Sequence, residues 1–333
     1  MFFEIALLVE NSIRDENHDP KKHCCYCQSN LVKRSGTSST KRQRWYCKDC
    51  HRTFSWRNRK PKHTRRFAAF REWIIEGYSI RTLQRLYRTS ASTLRRSIIY
   101  WLEHPPVQQI FSTSSLSAIF DGSILKNRRG PYVALDVQTH TLVAATDNIA
   151  EGGKELLEFY QQLDNAGLRL HYATIDGNTQ QNKYLKKVWP SIIIQRCIVH
   201  VQRQGLSWCR LHPKRTDAKH LRILFANLST IKTKDDIQQF IHRVDLWEKR
   251  FGSIIHHTPE RGYVFSDLKR ARSMLLKALP NLFHFIDNPM IASSTNALEG
   301  YFSRLKEHYR RHRGLSLPHR KNYFLWYFYF VRK

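Results

Sequence analysis

The sequence predicts an α/β fold, in which a domain built on a mixed β-sheet follows two small N-terminal units. Three observations indicate this: two pairs of cysteines near the N-terminus, three short amphipathic helical patterns after them, and then apolar strand patterns that alternate with helical ones. The predicted boundaries are 1–20 for an N-terminal leader, 21–60 for the cysteine-rich unit, 61–105 for the helical unit and 106–333 for the α/β domain.

The charge balance indicates a polyanionic partner. The 333 residues include 56 Lys and Arg against 27 Asp and Glu, which gives a formal net charge of +29. These basic residues are distributed through aromatic-rich segments that have the composition of folded structure, and they are not confined to a tail. Nucleic acid is therefore the expected partner.

Membrane and secretory classes are disfavoured by the apolar segments of the chain. No apolar run approaches the roughly 20 residues that span a bilayer. The N-terminal run lacks a basic n-region and contains Glu4, unlike a signal peptide. Seven cysteines in a chain of this length, five of them between Cys24 and Cys50, do not resemble a secreted disulfide scaffold. We expect a reducing, cytoplasmic location.

The cysteine spacing predicts a structural zinc site. Two Cys-x2-Cys pairs are separated by 19 residues, within the range of zinc ribbons, and four thiolates leave no open coordination position for catalysis. The predicted ligands are Cys24, Cys27, Cys47 and Cys50. Cys25 or His23 could replace Cys24 as a ligand, although the paired spacing favours Cys24.

Residues 61–105 predict a helix-turn-helix. Apolar residues recur at helical spacing in three short segments, and Ser79 and the stretch Thr89–Ser92 supply helix caps. Arg95 and Arg96 lie near the start of the third helix, where a recognition helix contacts the major groove. The alternative is a trihelical connector with no role in DNA binding.

The segment after Leu116 predicts an RNase H-like mixed sheet. Three strand patterns occur in succession, and helices then alternate with two further strands, the last being SIIIQRCIVH. Residues from about 201 to 290 are helical and basic, which suggests a helical insertion. The final segment, LPHRKNYFLWYFYFVRK, is predicted to pack in the core as a helix or a strand.

Three carboxylates are placed where separate elements could bring them together. Asp121 follows the apolar run Ala118–Phe120, Asp176 ends the fourth predicted strand, and Glu299 begins a late helix. Two-metal phosphoryl transfer requires such carboxylates around ions roughly 3.5–4 Å apart. Asp136, in the next strand, is the main competitor of Asp121.

Other acidic residues fit the site less well. Asp147 lies near the end of a strand, whereas Glu151, Glu155 and Glu158 recur along a helix and are typical of its solvated face.

The helix that contains Glu299 has an apolar side and a basic side. Ser294, Thr295 and Asn296 precede it as candidate cap residues. Its basic side carries the candidate DNA contacts Lys306, Arg310 and Arg313. By itself, Glu299 is equally explained as an acidic residue that complements the positive end of the helix dipole.

These motifs together resemble the mutator-type transposases of bacterial insertion sequences. The resemblance is carried by FDGS around Asp121, TIDGN around Asp176, QRCIVH, and STNALEGYFSRLKEHYRRHRG around Glu299, and it covers most of residues 21–320. It implies an RNase H-like catalytic domain in which Asp121, Asp176 and Glu299 hold two Mg2+ or Mn2+ ions. It also implies that Cys197, His200 and Asn296 lie near the site.

The resemblance implies a transposase that binds the terminal inverted repeats of its element and a target DNA. Because two DNA ends must be brought together, we expect a homo-oligomer, at least a dimer, associated with the nucleoid. The alternative hypothesis is a non-catalytic regulator, or a domesticated transposase, that uses the same N-terminal modules for DNA binding.

Overall fold

A computed structural model describes residues 23–39, 41–55, 60–107, 110–123, 125, 129–150, 152–257, 263–312 and 314–332. The chain divides into two compact units, residues 1–66 and 67–333. The predicted leader, 1–20, and the candidate DNA contact Arg313 lie outside the described residues.

The first unit contains a small antiparallel sheet with the strand order β1-β2-β3. The strands are β1 (Val32–Thr37), β2 (Gln43–Cys47) and β3 (Thr53–Phe54). Its buried apolar cluster consists of Cys24, Cys47 and Phe54. A cluster this small buries too little apolar surface to stabilise a fold by itself, and a metal ion bound by the cysteines would add stability.

Three helices correspond to the predicted trihelical segment: α1 (Lys60–Ile75), α2 (Ile80–Tyr87) and α3 (Ala91–Glu103). The hydroxyls of Ser79 and Ser90 accept hydrogen bonds from backbone N–H groups in the first turns of α2 and α3, as the sequence predicts. Arg88 closes α2 in the left-handed conformation, which produces the tight turn before α3.

The second unit is α/β, with a five-stranded mixed sheet in the order β6-β5-β4-β7-β8. The antiparallel part comprises β4 (Ser117–Gly122), β5 (Arg129–Asp136) and β6 (Leu142–Ala150). The parallel part adds β7 (Tyr172–Ile175) and β8 (Ile193–Arg196) to β4. The connecting helices are α4 (Lys154–Asn165) and α5 (Thr179–Val188).

Alternation along β4 assigns its side chains to two different cores. Ala118 and Phe120 pack with α4 and α5, whereas Ile119 packs with the C-terminal helices. Since side chains of a strand point to alternate faces, Asp121 lies on the same face as Ile119. The sheet therefore presents Asp121 on the side covered by the C-terminal helices.

Residues 198–257 and 263–287 form helices with a core of their own. These are α6 (Ile198–Trp208), α7 (Thr216–Ala226), α8 (Lys234–Trp247), α9 (Ser253–His257), α10 (Tyr263–Ala278) and α11 (His284–Asp287). The predicted fifth strand is too long, because β8 ends at Arg196 and α6 begins at Ile198. Ile198 and Val201 are spaced for burial on a helix, and this tertiary packing overrides their β-propensity.

The last helices are α12 (Asn296–Arg310) and α13 (Leu317–Val331). The aromatic terminal segment is thus a helix, and it packs in the core as the sequence predicts. It shares that core with the trihelical segment, since the Trp326 indole donates a hydrogen bond to the Trp101 carbonyl at 2.8 Å. Among the described residues, no helix has the length and apolar character needed to cross a lipid bilayer.

Candidate catalytic cavity

Asp121 and Asp176 meet at one edge of the sheet. Strands β4 and β7 are parallel neighbours, with Ile119 paired to Thr174. Two residues further along this register, Asp121 comes opposite Asp176, which directly follows β7. Carboxyl ends of parallel strands lie at the same edge of a sheet, so the two carboxylates converge although 55 positions separate them in the chain.

Glu299 reaches this edge because the segment before α12 is attached to it. The Thr174 hydroxyl donates to the Ala292 carbonyl at 2.7 Å, and the Ile198 amide donates to the Ser293 carbonyl at 3.0 Å. Leu298 and Phe302 are buried on one side of α12. With both the start and the apolar side of the helix held, Glu299 in its first turn faces the strand ends.

The three carboxylates line one cavity with a volume of about 420 Å³. His200 and Lys306 also contribute to its wall, together with the apolar side chains of Tyr132, Ile149, Leu156 and Phe302. The cavity thus combines three acids, an imidazole and an ammonium group with an apolar lining.

The pKa of Asp121 is raised to about 6 from an ordinary value of 3.8. Burial is the main cause, and repulsion by Asp176 and Glu299 adds to it. The Gly122 amide, which donates to the Asp121 carboxylate at 2.8 Å, and the nearby His200 act in the opposite direction. The ionised form of Asp121 is therefore destabilised by burial and by its two acidic neighbours.

Glu299 is bound by an arginine that is not among the predicted site residues. Arg203 Nη1 donates to Glu299 Oε1 at 2.5 Å, and Nη2 donates to Oε2 at 3.2 Å. The three carboxylates do not form a tight ligand set in this arrangement: among the described residues, the four N-terminal cysteines are the group whose ligand atoms all lie within 4.8 Å. The sequence did contain a signal, because Arg203 follows His200 by three positions, on the same face of α6.

Cys197 and His200, predicted near the site, form a hydrogen-bonded pair. Their Sγ and Nδ1 atoms are 3.2 Å apart, and the Thr295 amide donates to Cys197 Sγ at 3.3 Å. Burial alone would raise the pKa of the Cys197 thiol, but the contacts with His200 and Thr295 bring it below its usual value. The contact with Cys197 is the main cause of a raised His200 pKa.

Thr295 does not cap α12 through its side chain. It occupies the cap position without a side-chain cap hydrogen bond, and its hydroxyl lies 3.3 Å from His200 Nδ1. The predicted capping role is therefore wrong for Thr295, because its hydroxyl is used to connect α12 to α6. Asn296, the first residue of α12, is exposed, and its amide lies 3.5 Å from the Ser294 hydroxyl.

Gly177 and Arg196 form a second feature of the site that was not predicted from the sequence. Gly177 follows Asp176 with φ +97°, and a Cβ at this position would lie 0.7 Å from Arg196 Nη1. The guanidinium therefore packs directly over the glycine, beside Asp176. The glycine in TIDGN permits both the left-handed turn and this close approach.

The competing acids have other roles or positions. Asp136 pairs with Ala118, near the start of β4, whereas Asp121 lies near the end of that strand. The carboxylate of Asp136 accepts hydrogen bonds from Ser115 and Thr139. It closes a turn and does not line the cavity. Glu155 pairs with Arg129 at 2.7 Å, and Glu158 is exposed on α4, as expected of a solvated face.

The candidate DNA contacts occupy accessible positions. Arg95 and Arg96 are exposed in the first turns of α3. Lys306 is half-buried in the cavity wall, and Arg310 is exposed at the end of α12.

The four predicted zinc ligands lie together in the first unit. Their sulfur atoms are all within 4.8 Å of one another, with pairs at 3.6 Å (Cys24 and Cys50) and 3.5 Å (Cys27 and Cys47). Cys25 and His23 are not part of this group, and Cys25 is exposed. The cluster could therefore hold one metal ion through the ligand set that the spacing predicts.

Comparison with known proteins gives one family. No curated protein matches the chain, but the family model described as "Transposase, Mutator family" matches residues 133–313. The match includes Asp176, His200 and Glu299, and it begins after Asp121. Since the matched segment exceeds half of the 333 residues, the chain belongs to the Mutator family of transposases.

Proposed function

We propose that this protein is a DDE transposase whose RNase H-like domain cleaves the ends of its element and joins them to target DNA. The observation that carries the proposal is the meeting of Asp121, Asp176 and Glu299, from three separate elements, on one cavity. A chain of net charge +29 has little other reason to collect carboxylates at one place, since exposed acids would repel its polyanionic substrate.

The donor set fits a hard divalent cation. Carboxylate oxygens are the ligands that Mg2+ and Mn2+ prefer, and a bound divalent cation would offset the burial and the carboxylate repulsion that raise the pKa of Asp121. Asp121, Asp176 and Glu299 would hold the ions. Two bound ions would activate the attacking water or 3′-hydroxyl and stabilise the leaving oxygen.

The other residues of the cavity would position the DNA and the carboxylates. Lys306 supplies positive charge in the cavity wall, where it can contact a phosphate next to the cleaved bond. Arg310, one helical turn further along α12, extends this charge away from the carboxylates. Cys197 contacts both His200 and Thr295, and thereby fixes the start of α12 relative to α6.

Recognition of the terminal inverted repeats is assigned to the N-terminal modules. In α2 and α3, capped by Ser79 and Ser90, we recognise a helix-turn-helix that would present Arg95 and Arg96 to the major groove. The four cysteines would bind structural Zn2+ as a zinc ribbon. The active form would be at least a dimer on paired DNA ends, in the cytoplasm with the nucleoid.

The test is cleavage of duplex DNA that carries the element's terminal repeat, with Mg2+ or Mn2+, by the full-length protein and its Asp176→Asn variant. The amide keeps the shape of the side chain and its Oδ1 acceptor for the Asn178 amide, but it removes the charge. We expect cleavage to fall at least about a hundredfold, because metal-ion stabilisation of the transition state is worth several kcal/mol. Chelation of the divalent ion should have the same effect.

Glu158→Gln is the matched control, since it removes one negative charge from an exposed position of the same unit. It should retain full activity. Full cleavage by folded Asp176→Asn would refute the assignment of the carboxylates. A wild-type protein that binds the repeat but never cleaves it, with either ion, would favour a non-catalytic regulator.

A further inference from the structure

Arg203 is the partner of a proposed metal ligand, and no step described above uses it. Its guanidinium contacts both oxygens of Glu299, at 2.5 and 3.2 Å, in a two-pronged arrangement. Arginine forms this arrangement with carboxylates because its planar N–H groups match the spacing of the two oxygens. Both oxygens of the carboxylate that would bind a metal ion thus accept a hydrogen bond from the guanidinium.

Helices α6 and α12 place this pair through a row of contacts. Cys197, His200 and Arg203 are spaced three residues apart, so they lie along one side of α6. The first two contact Thr295, and the third contacts Glu299, four residues later on α12. Arg203 is therefore positioned by the same helix pairing that brings His200 to the cavity.

We propose that Arg203 is a built-in counter-ion that holds Glu299 in the metal-free protein and competes with the divalent cation for this carboxylate. The inference rests on the proposed function, because it takes Glu299 as the third metal ligand. In the metal-free state the guanidinium neutralises one of three mutually repelling acids. When a divalent ion binds, Glu299 exchanges the guanidinium for the ion and joins the two aspartates.

Two observations support exchange over a permanent structural ion pair. The ligand atoms of the three carboxylates do not all lie within 4.8 Å of one another while Arg203 is bound to Glu299. The side chains are 59% exposed for Arg203 and 36% exposed for Glu299, so water can replace either partner. Ion pairs this accessible are weak, and a divalent ion held by two further carboxylates should displace the guanidinium.

The test measures Mn2+ binding to the full-length protein by electron paramagnetic resonance, after the cysteine site has been loaded with Zn2+. Arg203→Gln should bind Mn2+ about two- to fivefold more tightly than wild type, the range set by the strength of exposed ion pairs. In the metal-free state the same variant should melt at a lower temperature, and Mn2+ should raise its melting temperature by more than it raises that of wild type.

Arg210→Gln is the matched control for the loss of one positive charge. Arg210 lies just after α6 and is 50% exposed, and it pairs with Asp267 at 2.6 Å, away from Glu299. Its Mn2+ affinity should equal that of wild type. In a Glu299→Gln background, the Arg203→Gln change should no longer alter Mn2+ affinity, because the carboxylate for which the two cations compete is gone.

The outcomes separate this inference from the proposed function. If Mn2+ binding is abolished by Asp121→Asn but is unchanged or weakened by Arg203→Gln, Arg203 is not a competitor and the inference alone is wrong. If wild type shows no Mn2+ binding that depends on Asp121, the metal site itself is wrong and both proposals fail. Tighter binding that persists in the Glu299→Gln background would assign the effect to overall charge and would also overturn the inference.

Discussion

Gly205 offers a sharp test of the packing that positions α6. It is buried in the helix, and a Cβ at this position would lie 2.2 Å from Cδ1 of Phe225, whose ring is completely buried in α7. Carbon atoms pack at about 3.5–4.0 Å, so either the ring or α6 must move by more than 1 Å. We predict that Gly205→Ala destabilises the protein, although alanine is the better helix former.

The sign of the expected stability change follows from the sizes of two opposing effects. Replacing glycine by alanine inside a helix contributes about 1 kcal/mol of stability. Overpacking of a filled core costs about 1–3 kcal/mol, and the contact with a fully buried ring places this site in the upper part of that range. We therefore expect a net loss of about 1–2 kcal/mol in the free energy of unfolding.

Gly300 provides the matched comparison in α12. It is exposed, and a Cβ there would meet nothing within 4 Å, so Gly300→Ala should stabilise the protein by about 0.5–1 kcal/mol. Urea-unfolding midpoints, with unchanged m-values, measure both changes. Adding Phe225→Leu should reduce the penalty of Gly205→Ala. If Gly205→Ala instead raised stability as Gly300→Ala does, the close contact between α6 and α7 would be refuted.

Two further predictions concern metal and pH. Chelation of zinc should remove hydrogen-exchange protection from residues 23–55 and leave the other described segments protected, because the cysteine cluster supplies most of the first unit's buried core. Cys47→Ser should have the same effect, whereas exposed Cys25→Ser should not. Burial lowers the pKa of His312 to about 4 from an ordinary 6.5. The unfolded state therefore binds this proton first, so the free energy of unfolding should fall as the pH drops from about 6.5 to 4. Allowing for partial exposure, we expect a loss of about 1–2 kcal/mol in urea titrations, and His312→Gln should lose this pH dependence.

The candidate site could be predicted from sequence to the extent that it depends on local patterns. Asp121 and Asp176 each follow an apolar strand, and two parallel strands bring their ends together, so the pair was predictable once the strand order was known. The cysteine ligands were predictable from spacing alone, since each Cys-x2-Cys pair forms a local turn. The ion pair of Arg203 with Glu299 was not predictable, although the spacing of Arg203 from His200 was a signal, because the pair joins residues 96 positions apart.

Tertiary contacts also determined the structure at two places where local sequence patterns predicted something else. The run after Arg196 has the β-branched composition of a strand, yet burial of Ile198 and Val201 in the helical core makes it the start of α6. Thr295 has the side chain of a helix cap, yet its hydroxyl lies beside Cys197 and His200. In each case a contact with a distant element outweighed a preference of about 1 kcal/mol or less.

The sequence by itself determined the class of this protein. The evidence was the excess of basic residues, the cysteine pairs and the apolar periodicities, which are properties of the chain that do not depend on its conformation. Only the tertiary structure decided that Asp121, Asp176 and Glu299 share a cavity and that Glu299 is bound to Arg203. The physical reason is that carboxylate repulsion and ion pairing depend on distances of a few ångströms between side chains. Those distances are set by how the sheet, α6 and α12 pack together.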